Sequence, residues 1–145
     1  MAIQQMHHVG VVVDDLPAAI AFFVALGMEL EGESPVSGEW VDRVVGLDGV
    51  EVDIAMVRTP DGHSRLELTR FRTPQSIDVE QSAPANAVGL RRVMFSVDDL
   101  DDVLVRLRAH GGELVGEVVP YGDVLRICYV RGPAGIIVAL SEPIG

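Results

Sequence analysis

HHVGVVVDDLPAAIAFFVALGMELEGE, residues 7–33, recurs in the chain in a second version, RRVMFSVDDLDDVLVRLRAHGGELVGE, residues 91–117. The two segments align without a gap at an offset of 84, and 11 of their 27 positions are identical. A unit that occurs only twice excludes a solenoid and indicates a duplicated module. Each copy begins with a run rich in β-formers and continues, after Asp-Asp-Leu, into a segment with helical periodicity. Each module therefore begins with a strand followed by a helix capped by an aspartate.

The rest of each copy predicts further strands. Turn sequences separate two β-rich runs in each half, at 50–57 and 65–71 and again at 125–131 and 136–141. One more strand after each helix, at 28–33 and 113–119, would make both modules βαβββ. We therefore expect an α+β protein in which two βαβββ modules in tandem form a curled mixed sheet around a cleft, with the helices on the outer face.

The domain organisation follows from the same repeat. We expect a single domain with a first module at 1–72, a linker rich in Pro and Asn breakers at 73–88, and a second module at 89–145. Residues 34–48 have no counterpart in the second copy. Within them, WVDRVVGL predicts a short helix.

Composition excludes several classes of partner. The formal net charge of −11 disfavours nucleic acid and anionic membranes, because both require a basic surface. No apolar run reaches the roughly 18–20 residues that a membrane span needs, and residues 1–6 lack a signal-peptide pattern. Cys128 is the only cysteine, which excludes an internal disulfide and fits a reducing compartment. We expect a cytoplasmic protein in which Cys128 is a buried, unreactive thiol.

Strand alternation predicts which side chains lie opposite the helices. In the first strand Val9, Val11 and Val13 form the apolar face that meets the helix, so His8 lies on the other face. The same reasoning assigns Glu67 to that second face. In the second copy, alternation along the two corresponding strands places six more residues on the second face. They are Arg92, Met94, Ser96, Ile137, Ala139 and Ser141. This second face is the expected ligand surface.

The chain resembles the vicinal oxygen chelate superfamily, which includes glyoxalases, methylmalonyl-CoA epimerases, extradiol dioxygenases and bleomycin- or fosfomycin-resistance proteins. The resemblance rests on HVGVVVDDL at 8–16, LEL at 66–68, GLRRVMFSVDDL at 89–100 and YVRGPAGIIVALSE at 129–142. It covers nearly the whole chain and implies the two-module fold and a homodimer. It does not identify the chemistry, because the superfamily carries many reactions on one scaffold.

The resemblance places the four metal-ligand positions of the superfamily at His8, Glu67, Arg92 and Ala139. Metal-dependent relatives usually have His at the third position and Glu at the fourth, and this sequence departs from both. A guanidinium stays protonated and cannot bind a metal, and alanine has no donor atom. We therefore expect no tightly bound catalytic metal. A divalent Zn, Ni, Mn or Fe ion held by His8 and Glu67 would need further ligands from His7, Glu51, water or a dimer partner.

Three functions remain open at this point. The first is a small-molecule-binding protein of the glyoxalase/bleomycin-resistance type with a degenerate metal site, whose small organic ligand has an anionic group that meets Arg92. In this reading Arg92 takes the place of the metal and pairs with Glu67. The second is an enzyme, a metal-dependent lyase/isomerase or dioxygenase of the glyoxalase type that uses His8 and Glu67 for catalysis. A catalytically silent interaction domain is a third possibility.

Several other side chains are candidates for ligand binding. Met94 and Ile137 would form apolar walls beside Arg92, with Ser96 and Ala139 on the same face. Trp40, in the insertion, and Tyr121, in the loop VPYGD, are candidate aromatic contacts. Arg126 is in phase with Cys128 and Val130, and the sequence alone leaves open which face that is. His7 is expected to point away from His8 as an ordinary surface residue.

Overall fold

The computed structural model describes residues 2–144. The chain folds into two compact units, residues 1–78 and 79–145, and the boundary between them falls within the predicted linker. Each unit contains one copy of the repeat and has its own mixed sheet. The α+β class and the two modules are therefore confirmed. Within residues 2–144, no helix is long and apolar enough to cross a membrane.

The first module contains four strands and two helices. Its sheet has the order β1-β4-β3-β2, in which β1 runs parallel to β4 and the other neighbours are antiparallel. Strand β2 extends into the insertion, and the helix predicted within the insertion is present as α2. The elements are β1 (Val9–Val12), α1 (Leu16–Leu26), β2 (Glu29–Ser37), α2 (Glu39–Val45), β3 (Glu51–Arg58) and β4 (Arg65–Thr73).

The second module repeats the strand order of the first sheet, except that the strand after its helix is divided in two. The single strand predicted at 113–119 is two short strands, because the chain bends at Val115 and Gly116, and both pieces pair with β8. The sheet order is β5-β9-β8-β6, with β7 also on β8, and β5 runs parallel to β9. The elements are β5 (Arg92–Ser96), α3 (Leu100–Ala109), β6 (Glu113–Leu114), β7 (Val119–Tyr121), β8 (Leu125–Arg131) and β9 (Ile137–Pro143).

Aspartate caps start both repeated helices, as predicted. The Asp15 carboxylate accepts the Ala18 N–H at 3.0 Å, and the Asp99 carboxylate accepts the Asp102 N–H at 3.1 Å. Each bond satisfies a backbone donor that has no partner within the helix. At the other end of α1, Gly27 adopts a φ of 123°, and its N–H bonds to the carbonyls of Phe23 and Val24.

The cores confirm the predicted strand phase. Val11, Val13, Leu66 and Leu68 are buried on the helix side of the first sheet, and His8 and Glu67 are partly exposed. In the second sheet Cys128 pairs with Leu140 and is buried on the helix side, and this burial raises the pKa of its thiol. The thiolate is accordingly less populated than in an exposed cysteine.

Helix α2 covers part of the sheet face opposite α1. Val41 of this helix packs with Val50 and Val52, and the partly buried Ile54 and Phe71 extend the cluster. Phe71 lies four residues after Glu67 on β4, so both side chains are on the same face of the sheet. On β3, Val52 is opposite Phe71 and Ile54 is opposite Thr69, so these two residues are also on the second face. The insertion therefore closes one end of that face and leaves the end with His8 and Glu67 open.

In each module, an ion pair between directly opposed residues lies on the helix side of the sheet. In the first module Asp53 of β3 is opposite Arg70 of β4, with 3.9 Å between charged atoms. In the second, Arg126 of β8 is opposite Glu142 of β9 at 3.4 Å. Because β3 and β4 correspond to β8 and β9 in sheet order, the two pairs occupy equivalent places with their signs exchanged.

Candidate functional site

The open end of the first sheet brings His8 and Glu67 together. His8 directly precedes β1, and Glu67 lies on β4 opposite Gly10 of β1. The distance from His8 Nε2 to Glu67 Oε2 is 3.6 Å, and the two side chains are 33% and 26% exposed. Both polar groups therefore remain accessible to a ligand from solvent.

Two neighbours orient this pair. The Thr69 hydroxyl, two residues along β4, donates to Glu67 Oε1 at 3.4 Å. On the other side, His7 Nδ1 lies 2.9 Å from His8 Nδ1, and the two rings meet edge to face at 5.1 Å. The prediction that His7 points away from His8 is therefore wrong, whereas its exposure agrees with the predicted surface position. Alternation applies within a strand, and both histidines precede β1.

The open face of the second sheet carries Arg92. The β5 residues Arg92, Met94 and Ser96 are exposed, and they lie beside Ile137, Ala139 and Ser141 of β9 in parallel register. Ile137 and Ala139 are almost fully buried, so they offer a ligand almost no surface of their own. The structure thus groups five of the predicted ligand-binding residues on one face of the second module.

Tyr129 completes this group and was not predicted from the sequence. It is opposite Ala139 in register, and the Arg92 guanidinium carbon lies 5.3 Å from the centre of its ring. This distance is within the range of a cation–π contact. The burial of Cys128 is the signal that identifies the face of Tyr129, since adjacent strand residues point to opposite sides.

Three predicted residues lie away from these groups. Arg126 is on the helix side of its sheet, where it binds Asp101 of α3 at 2.8 Å and Glu142 at 3.4 Å. Its hydrogen bond holds the pKa of the Asp101 carboxyl below its ordinary value. Trp40 is on α2 and Tyr121 on β7, and both rings are largely exposed. Their roles, and the pairing of Arg92 with Glu67, stay predictions.

The donor set for a metal is small. Among residues 2–144, no group of three or more His, Cys, Asp or Glu side chains is arranged to hold a metal ion. His8 and Glu67 supply two donors, whereas zinc sites use three or four protein ligands. These two residues on their own do not fit a tightly held ion.

A second open depression, of about 750 Å³, lies beside the start of α1. Its charged groups are largely satisfied: Asp53 binds Arg72 at 3.2 Å, and the Arg70 Nε–H donates to the Asp14 carbonyl at 3.2 Å. It is lined by residues of α1, β2, β3 and β4, including Asp14, Asp15, Glu33, Pro35, Asp53 and Arg70.

Comparisons with known proteins agree with this architecture. The model of the Glyoxalase/Bleomycin resistance protein/Dioxygenase superfamily matches residues 5–140. A glyoxalase family protein from Bacillus cereus is 51% identical, with a TM-score of 0.95 over 100% of this chain and 99% of that one. The uncharacterized protein YaeR of Escherichia coli strain K12 is 29% identical over 98% of both chains.

A more distant structure shares the fold alone. A glyoxalase I variant from Zea mays is 24% identical, with a TM-score of 0.66 over 94% of this chain and 45% of that one. Proteins with different activities share such folds, so the chemistry of this chain has to be argued from its own side chains.

Proposed function

Since the chain belongs to the Glyoxalase/Bleomycin resistance protein/Dioxygenase superfamily, we propose that it binds a small organic anion on the open face of its second module. The Arg92 guanidinium is the anchor for the anionic group. The observation that carries this proposal is the position of that guanidinium over the Tyr129 ring. The superfamily provides the scaffold, and Arg92 stands where metal-dependent relatives usually have a ligand histidine.

An arginine held by an aromatic ring keeps its charge available. The ion pairs of the second module, within residues 79–144, involve Arg106 and Arg126 and not Arg92. A guanidinium that lies over a ring keeps its N–H donors at its edge, where they can bind a carboxylate through two bonds. The net charge of −11 repels anions at long range, so binding depends on this local positive charge.

The surroundings of Arg92 suit an organic ligand rather than an inorganic ion. Met94 is 53% exposed beside it, and the partly exposed Tyr129 continues the surface. Methionine and tyrosine offer apolar contact area that adapts to flat or irregular ligands. A ligand with a carboxylate next to an apolar or aromatic body matches both parts of this surface.

Benzoate and the uncharged benzamide are a matched pair of probes. We expect benzoate to bind more tightly, with NMR shift changes centred on Met94 and Tyr129. We expect Arg92→Gln to weaken benzoate binding about tenfold or more, since a hydrogen bond to a charged group contributes roughly 1.5–3 kcal/mol. Arg106→Gln is the control, because Arg106 pairs with Asp102 along α3. Equal affinity for the two probes, or no effect of Arg92→Gln, would contradict the proposal.

The alternative is an enzyme built on the first module, favoured by the contact between His8 and Glu67. An imidazole and a carboxylate 3.6 Å apart on an open face are a reasonable acid–base pair. In this reading the chain is a glyoxalase-type lyase/isomerase or a dioxygenase. A divalent metal would supply Lewis acidity only if further ligands, such as water or a residue of a dimer partner, completed the two donors of His8 and Glu67.

Metal analysis of untagged protein, purified without chelator, separates the two readings. Stoichiometric Zn, Ni, Mn or Fe that is lost in His8→Ala would favour the enzyme. The matched control is His63→Ala, which changes an exposed histidine in the turn after β3. If metal content is the same in all three proteins, His8 is not a ligand and the enzyme loses its usual mechanism.

Two further properties belong to the same proposal. We propose a homodimer, by resemblance to the superfamily, and a cytoplasmic location, which the single buried cysteine supports. Light scattering coupled to gel filtration measures the first directly.

A further inference from the structure

We infer that His7 is a positioning residue, which holds His8 in the tautomer that carries its proton on Nε2. The Nδ1 atoms of the two rings are separated by 2.9 Å. At that distance one nitrogen must carry a hydrogen and the other must offer a lone pair, because two N–H groups or two lone pairs would repel. The contact therefore links the tautomer of His8 to that of His7.

Glu67 determines which of the two histidines, His7 or His8, donates the hydrogen bond. An ionised carboxylate only accepts hydrogen bonds, and Glu67 Oε2 faces His8 Nε2 at 3.6 Å. This is longer than a hydrogen bond, but the negative charge still favours a proton on the nearer nitrogen. With its proton on Nε2, His8 has a lone pair on Nδ1. The Nδ1–H of His7 is then the donor.

Glu31 also interacts electrostatically with His7, but its carboxylate already accepts a hydrogen bond from Arg65. Glu31 accepts the Arg65 Nε–H at 3.2 Å and lies 3.6 Å from Arg58, and its pKa is lowered chiefly by the bond from Arg65. It therefore competes weakly for the His7 proton. The imidazole of His7 is left free to donate to His8.

The arrangement has a consequence for the site, and this step rests on the proposed function. With its proton on Nε2, His8 directs its N–H toward Glu67 and has no lone pair on that nitrogen for a metal ion or for the proton of a substrate. The opposite tautomer would present a lone pair there, which suits a metal ion or a catalytic base. His7 thus biases His8 against acting as a metal ligand or a base through Nε2, which agrees with the proposed function without a metal.

Two substitutions of His7 separate its hydrogen bond from its packing. His7→Phe keeps an aromatic ring against His8 but removes the donor, and His7→Asn restores a short side chain with an N–H donor. The experiment is a long-range ¹H–¹⁵N correlation spectrum of the full ¹⁵N-labelled chain at a pH of about 9, where free imidazole is neutral. Protonated and unprotonated ring nitrogens resonate in separate regions, so the spectrum reports the tautomer directly.

We expect wild-type His8 to be the Nε2–H tautomer, and His7→Phe to lower the ratio of the two tautomers about fivefold, the effect of one net hydrogen bond. His7→Asn should recover most of the wild-type ratio. The signals of His63 and His110 are internal controls and should not move. A wild-type His8 with its proton on Nδ1, or an identical His8 spectrum in all three proteins, would overturn the inference.

This measurement needs no ligand, so it fails independently of the proposed function. If the tautomer responds as expected but wild-type protein shows no preference for benzoate over benzamide, the role of His7 stands and the anion site falls. If benzoate binds through Arg92 but the tautomer is unchanged in His7→Phe, the anion site stands and the role of His7 falls.

Discussion

Neighbouring aspartates differ in what they do at the start of each helix. Asp15 and Asp99 accept backbone N–H groups of α1 and α3, so each stabilises a helix end. Asp14 acts through its backbone instead: its carbonyl accepts a bond from Arg70 Nε at 3.2 Å. Paired aspartates in a sequence can suggest catalytic carboxylates, but here one member of each pair has a sufficient structural role.

Substitutions of Asp14 and Asp15 can be compared directly. We expect Asp15→Ala to lower the free energy of unfolding by about 1 kcal/mol, the usual value of an N-cap. Asp14→Ala should change it by less than about 0.5 kcal/mol, because the carbonyl that Arg70 binds is retained. Urea denaturation followed by circular dichroism measures both. Equal losses in the two variants would show that the cap is not the source of the effect.

Single residues also mark the limit of what the sequence could predict. The faces of Glu67 and Arg92 followed from alternation, since each lies in a regular strand. The contact between His7 and His8 lies outside β1, where no period applies. Tyr129 was not assigned a face because both faces of β8 carry apolar residues, and only the packing of Cys128 against the helix side distinguishes them.

The two repeated helices bury similar stripes but present different outer faces. Helix α1 has no charged residue between Leu16 and Leu26, whereas α3 carries two aspartates and two arginines. Three inward positions are nevertheless equivalent: Leu16, Ala19 and Phe23 in α1 are matched at the repeat offset by Leu100, Val103 and Leu107 in α3. The core face of each helix was therefore predictable from periodicity, since it depends on local spacing.

Adjacent positions of α1 test this division. We expect Phe23→Ala to destabilise the protein by about 3–5 kcal/mol, because Phe23 is fully buried and its removal leaves a cavity. Val24→Ala should cost less than about 1 kcal/mol, since Val24 is 46% exposed. Thermal melts of the two variants give the comparison, and similar melting temperatures would contradict the assigned face.

Strand boundaries were less predictable than helix faces. The extension of β2 to Ser37 depends on its pairing with Glu51 of β3, a contact between residues distant in sequence. The break between β6 and β7 depends on a local bend that the apolar pattern of 113–119 does not reveal. Where pairing partners decide the structure, a single sequence supplies little information.

The molecule as a whole is strongly acidic, and several of its carboxyls are held in the charged form. Hydrogen bonds lower the pKa values of Glu31, Asp61, Glu80 and Asp101, with Arg65, Thr59, Ser82 and Arg126 as the respective main donors. A carboxyl with a lowered folded pKa binds protons less readily than the unfolded chain does. Its contribution to stability is therefore present at neutral pH and lost on acidification.

We expect the melting temperature to fall as the pH drops from about 5 to about 3. The contribution of Asp101 begins to fade as the pH nears the ordinary value of 3.8 and is gone below its lowered folded value. Asp101→Asn should therefore make the melting temperature less dependent on pH over this interval. Asp98→Asn, at an exposed position before the cap, is the control. A wild-type slope retained in Asp101→Asn would contradict the role assigned to the bond with Arg126.

The exchanged signs of the two cross-strand ion pairs limit how the halves of this chain could recombine. If β9 replaced β4, Glu142 would stand opposite Asp53, and if β8 replaced β3, Arg126 would stand opposite Arg70. Either single-strand chimera would place like charges directly across from each other. Transfer of a whole hairpin, β3 with β4 or β8 with β9, would carry both members of a pair together. With respect to this ion pair, the smallest interchangeable segment of the duplicated chain is thus the hairpin.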